Sequence, residues 1–465
     1  MGKRKFRPYK IAKLSIEKFA AEGKCIAKHD EKVIFIPFTA PGDEIEALIT
    51  SDKKNFAEGK ILSFIEKSNL RIEPKCSHFS ICGGCKWQHI SYAQQLENKQ
   101  NQVKEQFDKI GKILPKIYKP IIGAEPIFEY RNKFEFSFSN IGWIEDIEDK
   151  SIEKKPAAGF HIPGRFDKVL DLKYCHLANK TINAILQLVK TMALSLDIPF
   201  YNQHTHEGNM RNLIVRTSTL GGLMVIIVCT IKDEAIDTVL SALKKQFTEI
   251  TSLNYIINTK KNDTIYDLEV INISGEEVLY EQIGDIKYKI RPKSFFQTNS
   301  YQTKNLYAAA IALANLSSND LVYDLYTGTG SIALYIARNV KKVVGIEILP
   351  QAIEDAKENA ITNNITNCAF YVGDMRKTFT NELVNKEGAP DVLITDPPRN
   401  GMDAEVVEHI LALVPKKVIY ISCNPATQAR DLQLLSAKYQ LDCSQAVDMF
   451  PHTHHIENIV LLTLL

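Results

Sequence analysis

Three groups of residues in this 465-residue chain have the types and spacing to do chemistry. Cys423 stands at the end of an apolar run, in VIYISCNPAT at 418–427. A thiol at the carboxyl end of a strand lies on the face where α/β folds bind ligands, and the polar Asn424 and Pro425 that follow favour an accessible nucleophile over a core residue. Downstream, PHTHHIEN at 451–458 brings Glu457 and three histidines just ahead of the last apolar strand, Ile459 to Leu465. His452, His454 and His455 would suit zinc, but no second ligand group in the sequence matches them, so zinc is the lesser reading there.

The second group lies at strand ends. Asp324-Leu-Tyr326-Thr-Gly328-Thr-Gly330 leads into a helix beginning near Ser331, and glycine there lets the backbone turn tightly and approach a ligand. The next strand ends in Glu347, placed to accept from both hydroxyls of a ribose. Gly373-Asp374 sets a carboxylate toward an adenine amino group, and Asp396-Pro397-Pro398-Arg399 follows the fourth strand. Position 333 is alanine, so the full G-x-G-x-x-G set is missing, which favours S-adenosylmethionine over a dinucleotide.

The third group is Cys76-x5-Cys82-x2-Cys85 with Cys175, in DLKYCHL, far downstream. Four thiolates suit zinc and an iron–sulfur cluster equally. Cys25, Cys229, Cys368 and Cys443 stand outside every motif.

Together these residues resemble the RNA uracil-5 methyltransferases over nearly the whole chain. The resemblance is most specific in DPPRNG at 396–401, VIYISCNPAT sixteen residues later, and PHTHHIEN; RPKSFFQTNSYQTKNLY at 291–307 is similar to the family's entry into its catalytic domain. It implies methyl transfer from S-adenosylmethionine to C5 of a uridine, with Cys423 adding to C6 and Glu457 removing the C5 proton. The implied cofactor-binding set is Gln297, Tyr326, Gly328, Ser331, Glu347, Asp374 and Asp396. Asp396 would help fix the base or the cofactor, and Arg399 would either neutralise nearby charge or hold structure. CSHFSICGGCKWQHI at 76–90 is similar to the cluster segment of the ribosomal-RNA branch, which implies a [4Fe-4S] cluster on Cys76, Cys82, Cys85 and Cys175, with a structural or RNA-positioning role. Cluster and N-terminal module together point to 23S rRNA. Transfer RNA is the alternative substrate, and an amino-group nucleic-acid methyltransferase a more distant one, because D-P-P also occurs there but is normally followed by an aromatic residue.

At ~150 residues per domain, the length predicts about three domains. The expected order is a TRAM-like, OB-like β-barrel with a basic tail at 1–66, a central α+β domain carrying the cluster at 67–294, and an α/β Rossmann-like methyltransferase domain at 295–465. In the barrel, Val33 to Phe38, Glu44 to Ile49 and Gly59 to Ile65 are β-rich runs separated by turn signals. In the central part, Phe134 to Phe138 and Leu223 to Cys229 read as strands, and Ala178 to Leu194 and Glu234 to Gln246 as helices. The charged run Glu145 to Lys155 reads as a solvated tip. Strand–turn–helix repeats begin near Phe295, with strands at Leu321 to Leu325, Lys342 to Glu347, Ala369 to Val372, Asp391 to Thr395 and Lys417 to Ser422.

Composition narrows the class. Hydrophobic residues make up 45% and charged residues 24%, as in ordinary globular proteins. The longest strongly apolar stretch, Leu223 to Ile231, is less than half the ~20 residues a membrane helix needs. No secretory leader is visible and the nine cysteines are sparse, so a cytoplasmic, monomeric protein without a protein partner is expected. The net charge of +2 conceals an uneven distribution: residues 1–120 hold 23 Lys plus Arg against 14 Asp plus Glu. A basic front end is the footprint expected of an RNA partner. Lys3, Arg4, Lys5, Arg7 and Lys10 would meet phosphates, and EGKCIAKHDEKVIFIPFTAPGDEI at 22–45 resembles the TRAM module. Tyr130-Arg131-Asn132-Lys133 and Met210-Arg211 resemble family positions near RNA. The target base must be unstacked into the pocket, which favours a loop or irregular RNA.

Overall fold

The computed structural model describes residues 6–144 and 155–465. Lys3, Arg4 and Lys5 of the basic tail, and all but Lys155 of the charged run, lie outside the described residues.

Five strands, β1 (Tyr9–Phe19), β2 (Lys24–His29), β3 (Lys32–Pro37), β4 (Glu44–Asp52) and β5 (Phe56–Glu66), close into a barrel in the order β1-β2-β3-β5-β4. Period-two alternation builds it: Ile45, Ala47 and Ile49 of β4 are fully buried while their neighbours face outward. The barrel is tied to the chain that follows by Asp43, which is buried at the turn before β4. Its carboxylate accepts from Ser68 N and, at 2.7 Å, from both Nε and Nη2 of Arg71.

After the strand β6 (Ile117–Ile122) comes a central sheet of β7 (Lys133–Ser139), β8 (Ala157–Ile162), β9 (Arg165–Asp171), β10 (Met210–Thr217), β11 (Leu223–Cys229), β12 (Ser252–Ile257) and β13 (Ile271–Gly275), ordered β13-β12-β11-β10-β7-β8-β9. The unbroken apolar run of β11 has a simple cause. Val225 and Ile227 enter the core under helices 180–195 and 234–246, whereas Met224, Ile226 and Val228 enter the core shared with the catalytic domain. Covered on both faces, the strand has no solvent side to make polar.

A hairpin of β14 (Leu279–Ile283) and β15 (Ile286–Ile290) precedes the strands β16 (Leu321–Leu325), β17 (Lys342–Glu347), β18 (Cys368–Val372), β19 (Val392–Thr395), β20 (Lys417–Ser422), β21 (Tyr439–Val447) and β22 (Glu457–Leu464). The catalytic sheet runs β18-β17-β16-β19-β20-β22-β21-β6. β16 to β20 are mutually parallel, and β22 is antiparallel to both neighbours. Two segments sit elsewhere than their place in the sequence suggests. β6 pairs in parallel with β21 as the outer strand of the catalytic sheet. The β14–β15 hairpin docks on the catalytic helix 350–362, through Lys287 N to Asn363 Oδ1 and Lys289 N to Asn359 Oδ1. No helix among the described residues is long and apolar enough to cross a membrane.

Candidate active site

Parallel pairing of β16 to β20 brings their carboxyl ends to one edge, and chain order reverses beside β16, where α/β sheets open a crevice for ligands. At the end of β16 the backbone enters the left-handed region at Tyr326, Gly328 and Gly330, with φ of 63°, 55° and 76°. A Cβ on Gly328 would meet nothing within 4 Å, so the loop leaves open space where a ligand would approach. Glu347, at the end of the neighbouring β17, accepts from Gly328 N at 3.2 Å and from Leu349 N at 3.0 Å, which fixes its carboxylate beside that space.

The sequence reading gave no role to Asp324. Buried under the loop, it accepts from Thr327 Oγ1 at 2.5 Å and Ala333 N at 3.1 Å, leaving Oδ1 unpartnered. Its signal was the acidic residue that opens D-x-Y-x-G-x-G. Burial, opposed in part by those two hydrogen bonds, pushes its carboxyl up to about 7. Asp396, at the end of β19, is raised to about 7 by burial and then by Asp324. Two of the predicted cofactor residues are engaged internally: Ser331 Oγ accepts from Tyr307 OH at 2.9 Å, and both oxygens of Asp374 are taken by Arg376. That guanidinium holds the Asp374 carboxyl down to about 2. Gln297 is half-buried, in the segment between β15 and helix 300–314.

Cys423 follows β20 directly and Glu457 opens β22. Because the two strands are antiparallel, Ser422 pairs with Asn458 and both functional groups meet at one end of the ladder. Burial, then the Glu457 and Asp396 carboxylates, push the Cys423 thiol up to about 11, while Arg399 pulls it down. Burial and then Asp396 hold the Glu457 carboxyl well above the usual range, again against Arg399. The Arg399 carbonyl accepts from Asn424 Nδ2 and Thr427 Oγ1, both at 3.1 Å, so the DPPR and SCNP loops are laced together. Asn458 is fixed by Gln428 and Ser444.

The loop before Glu457 is gripped from several elements that sequence reasoning did not single out. Lys99, on helix 92–106, donates to Asp448 Oδ1 at 2.6 Å and Phe450 O at 3.2 Å, with both charged side chains fully buried. One turn earlier, Gln95 Oε1 accepts from His452 N at 2.8 Å. The carbonyl of His452 takes the amides of Lys86 and Trp87, and its ring stacks on Phe128 at 4.2 Å. The histidines therefore shape the loop. Among the described residues, no three His, Cys, Asp or Glu side chains form a group fit for one metal ion.

The four predicted cluster cysteines, from two distant segments, come within electrostatic reach of one another. Each sulfur faces hydrogen-bond donors: His78 and Phe79 amides at Cys76, Gly84 N at Cys82, Gln88 Nε2 at Cys85, and Leu177 and Ala178 amides at Cys175. Burial outweighs these donors and raises all four thiols, Cys85 to about 12 and Cys175 to about 11. Among the described residues these cysteines do not form a group fit for one metal ion.

Two residues from the segments that resemble family positions near RNA are engaged inside the protein. Arg211 is 2% exposed, with its guanidinium donating to the carbonyls of Asn258 and Asn262 and pairing with Asp263, so it cannot reach a phosphate. Tyr130 is equally buried and donates to Pro451 O at 3.0 Å.

A model of the tRNA (uracil-5-)-methyltransferase family matches residues 91–464, and a TRAM domain model matches residues 10–62. Proteins named only as RNA methyltransferases are similar to the whole chain: one from Bacteroides thetaiotaomicron is 50% identical, covering 96% of this chain and 100% of its own, and one from Porphyromonas gingivalis is 46% identical, covering 97% and 99%. A crystal structure of the Pyrococcus abyssi tRNA (uracil-54, C5)-methyltransferase with S-adenosyl-L-homocysteine superposes with a TM-score of 0.74 at 27% identity, covering 97% of this chain and 99% of that one. With that family model matched over residues 91–464 and relatives 46–50% identical over almost its whole length, this chain belongs to the tRNA (uracil-5-)-methyltransferase family.

Proposed function

We propose that this S-adenosylmethionine-dependent RNA uracil-5 methyltransferase acts on a uridine in 23S rRNA, with Cys423 as nucleophile and Glu457 as base. The meeting of these two residues at one end of the β20–β22 ladder carries the reading. C5 of uracil is a weak nucleophile. Addition of the Cys423 sulfur to C6 moves the C5–C6 π electrons toward C5 and O4, and C5 then takes the methyl group. Bound S-adenosylmethionine would supply that methyl as an electrophile, held by Gln297, Tyr326, Gly328, Ser331, Glu347, Asp374 and Asp396. Glu457 removes the proton left on C5, the electron pair re-forms the C5–C6 bond, and the sulfur departs. Burial and then Asp396 raise the Glu457 carboxyl, so its ionised form is a stronger base toward the C5 proton than an ordinary carboxylate. Arg399 offsets negative charge at the sulfur.

The donors around Cys76, Cys82, Cys85 and Cys175 support a [4Fe-4S] cluster in a structural or RNA-positioning role, because the methyl transfer moves no single electrons. Likeness of the cluster segment to the ribosomal-RNA branch favours 23S rRNA. A transfer-RNA substrate is the second reading: the archaeal transfer-RNA enzyme matches 97% of this chain, so the N-terminal barrel does not separate the two substrates. Incubation with each RNA, followed by mass-spectrometric mapping of 5-methyluridine, decides. Modification of 23S rRNA is expected, and modification of transfer RNA alone would overturn the assignment.

A further inference from the structure

Arg399 joins the loop that carries Cys423 to the loop that carries Glu457. Its carbonyl accepts from Asn424 Nδ2 and Thr427 Oγ1, on the Cys423 side. Its guanidinium reaches the other way, and Nη2 donates at 3.4 Å to Nδ1 of His455, two residues before Glu457. The side chain is exposed, and among the described residues His455 is its one hydrogen-bond partner. A long, flexible cation at a surface keeps one rotamer only if something fixes its end.

His455 has the surroundings of a fixed anchor. Its backbone N–H donates to Thr453 Oγ1 at 3.2 Å, and Thr453 Oγ1 donates to Phe450 O at 2.8 Å. The ring centroid lies 4.2 Å from that of His454, and the Phe450 ring meets it edge-on at 6.2 Å. A guanidinium has donors and no acceptor, so Nδ1 must offer its lone pair and the ring proton must sit on Nε2. Burial, then the charges of His454, Arg399, Lys99 and Arg131, disfavour a second proton and push the ring down to about 3. The imidazole is therefore neutral, and able to accept, wherever the Cys423 thiol ionises.

We propose that His455 is a positioning residue: by accepting from Arg399 it holds the guanidinium between the Cys423 and Glu457 loops. The proposal rests on the reading of Cys423 as nucleophile and adds a residue that acts on it through Arg399. Of the charged groups around Cys423, Glu457 and Asp396 oppose the thiolate and Arg399 supports it. Releasing the guanidinium into water would take that support away.

The test is alkylation of Cys423 by iodoacetamide, followed on its peptide by mass spectrometry across the alkaline range, with full-length protein and no RNA. His455→Phe keeps an aromatic ring against His454 and Phe450 but removes the acceptor. It should label about ten-fold more slowly at a given pH below the thiol's ionisation, the effect of raising a pKa by about one unit. Arg399→Gln should move the curve in the same direction, and the double variant should move it no further. His455→Asn, whose Oδ1 stands as many bonds from Cα as Nδ1 does, should restore wild-type labelling. Unchanged S-adenosylhomocysteine affinity verifies the fold of each variant. In the wild type, 15N-histidine spectra should show His455 neutral with its proton on Nε2, a readout that needs no substitution. Wild-type labelling of His455→Phe, additive shifts in the double variant, no rescue by asparagine, or a proton on Nδ1 overturns the proposal. Labelling is read without RNA, so absent uridine methylation would strike the activity, whereas wild-type labelling of His455→Phe with methylation intact would strike only the role of His455.

Discussion

Ser422 and Asn458 face each other across the antiparallel β20–β22 pair, and that single register sets the catalytic geometry. The residue after one is Cys423 and the residue before the other is Glu457, so the proposed nucleophile and base stand at the same end of two hydrogen-bonded strands. Both groups inherit the rigidity of the sheet.

Removing either group should separate two stages of the reaction. Cys423→Ala is expected to abolish methylation. Glu457→Gln should slow turnover by about 10²–10⁴-fold, the usual contribution of a general base. It should also retain RNA on the protein through the Cys423 sulfur, visible as a slow band on a denaturing gel. Normal product release by Glu457→Gln without that band would exclude the assigned base.

The raised thiol makes the reaction pH-dependent. With Cys423 held up to about 11, its thiolate fraction grows as pH rises, so kcat/KM should climb through the neutral and mildly alkaline range. Arg399 lowers the thiol, so Arg399→Gln should move the rising limb to higher pH. Glu457→Gln removes a charge that raises it and should move iodoacetamide labelling of Cys423 to lower pH.

Stability should depend on the buried Lys99–Asp448 pair. Lys99→Met leaves Asp448 charged and buried without its cation, a change that typically costs about 3–5 kcal/mol. Adding Asp448→Leu should restore much of the loss in chemical denaturation. If the single variant unfolds at the wild-type denaturant concentration, the pair does not anchor the loop.

Glu347→Ala should weaken S-adenosylhomocysteine binding measured by calorimetry. Loss of a hydrogen bond to a charged group costs about 1.5–3 kcal/mol, or roughly ten- to a hundred-fold in affinity. RNA affinity should be unchanged, because Glu347 lies on the Gly328 side of the crevice.

Anaerobically prepared protein is expected to contain about four iron atoms per chain and to absorb in the visible region. Cys175→Ser should lose both signals. Zinc without iron would refute the cluster.

The sequence by itself determined the strands β16, β17 and β20 and the loops at their ends, and it singled out Cys423, Glu457 and Glu347 as candidates. Those signals are local: strand periodicity, glycine where φ must be positive, and polar residues that end apolar runs. Only the tertiary structure decided that β6, some 300 residues before its partner β21, completes the catalytic sheet, since an edge strand carries no mark of the strand it will pair with. The same holds for Lys99 and Gln95, which look like surface residues of a polar helix until the 448–453 loop folds over them. Arg211 makes the converse point. Its resemblance to a family position suggested RNA nearby, but the carbonyls that satisfy it belong to a loop about fifty residues away, and only folding brings them within hydrogen-bond reach.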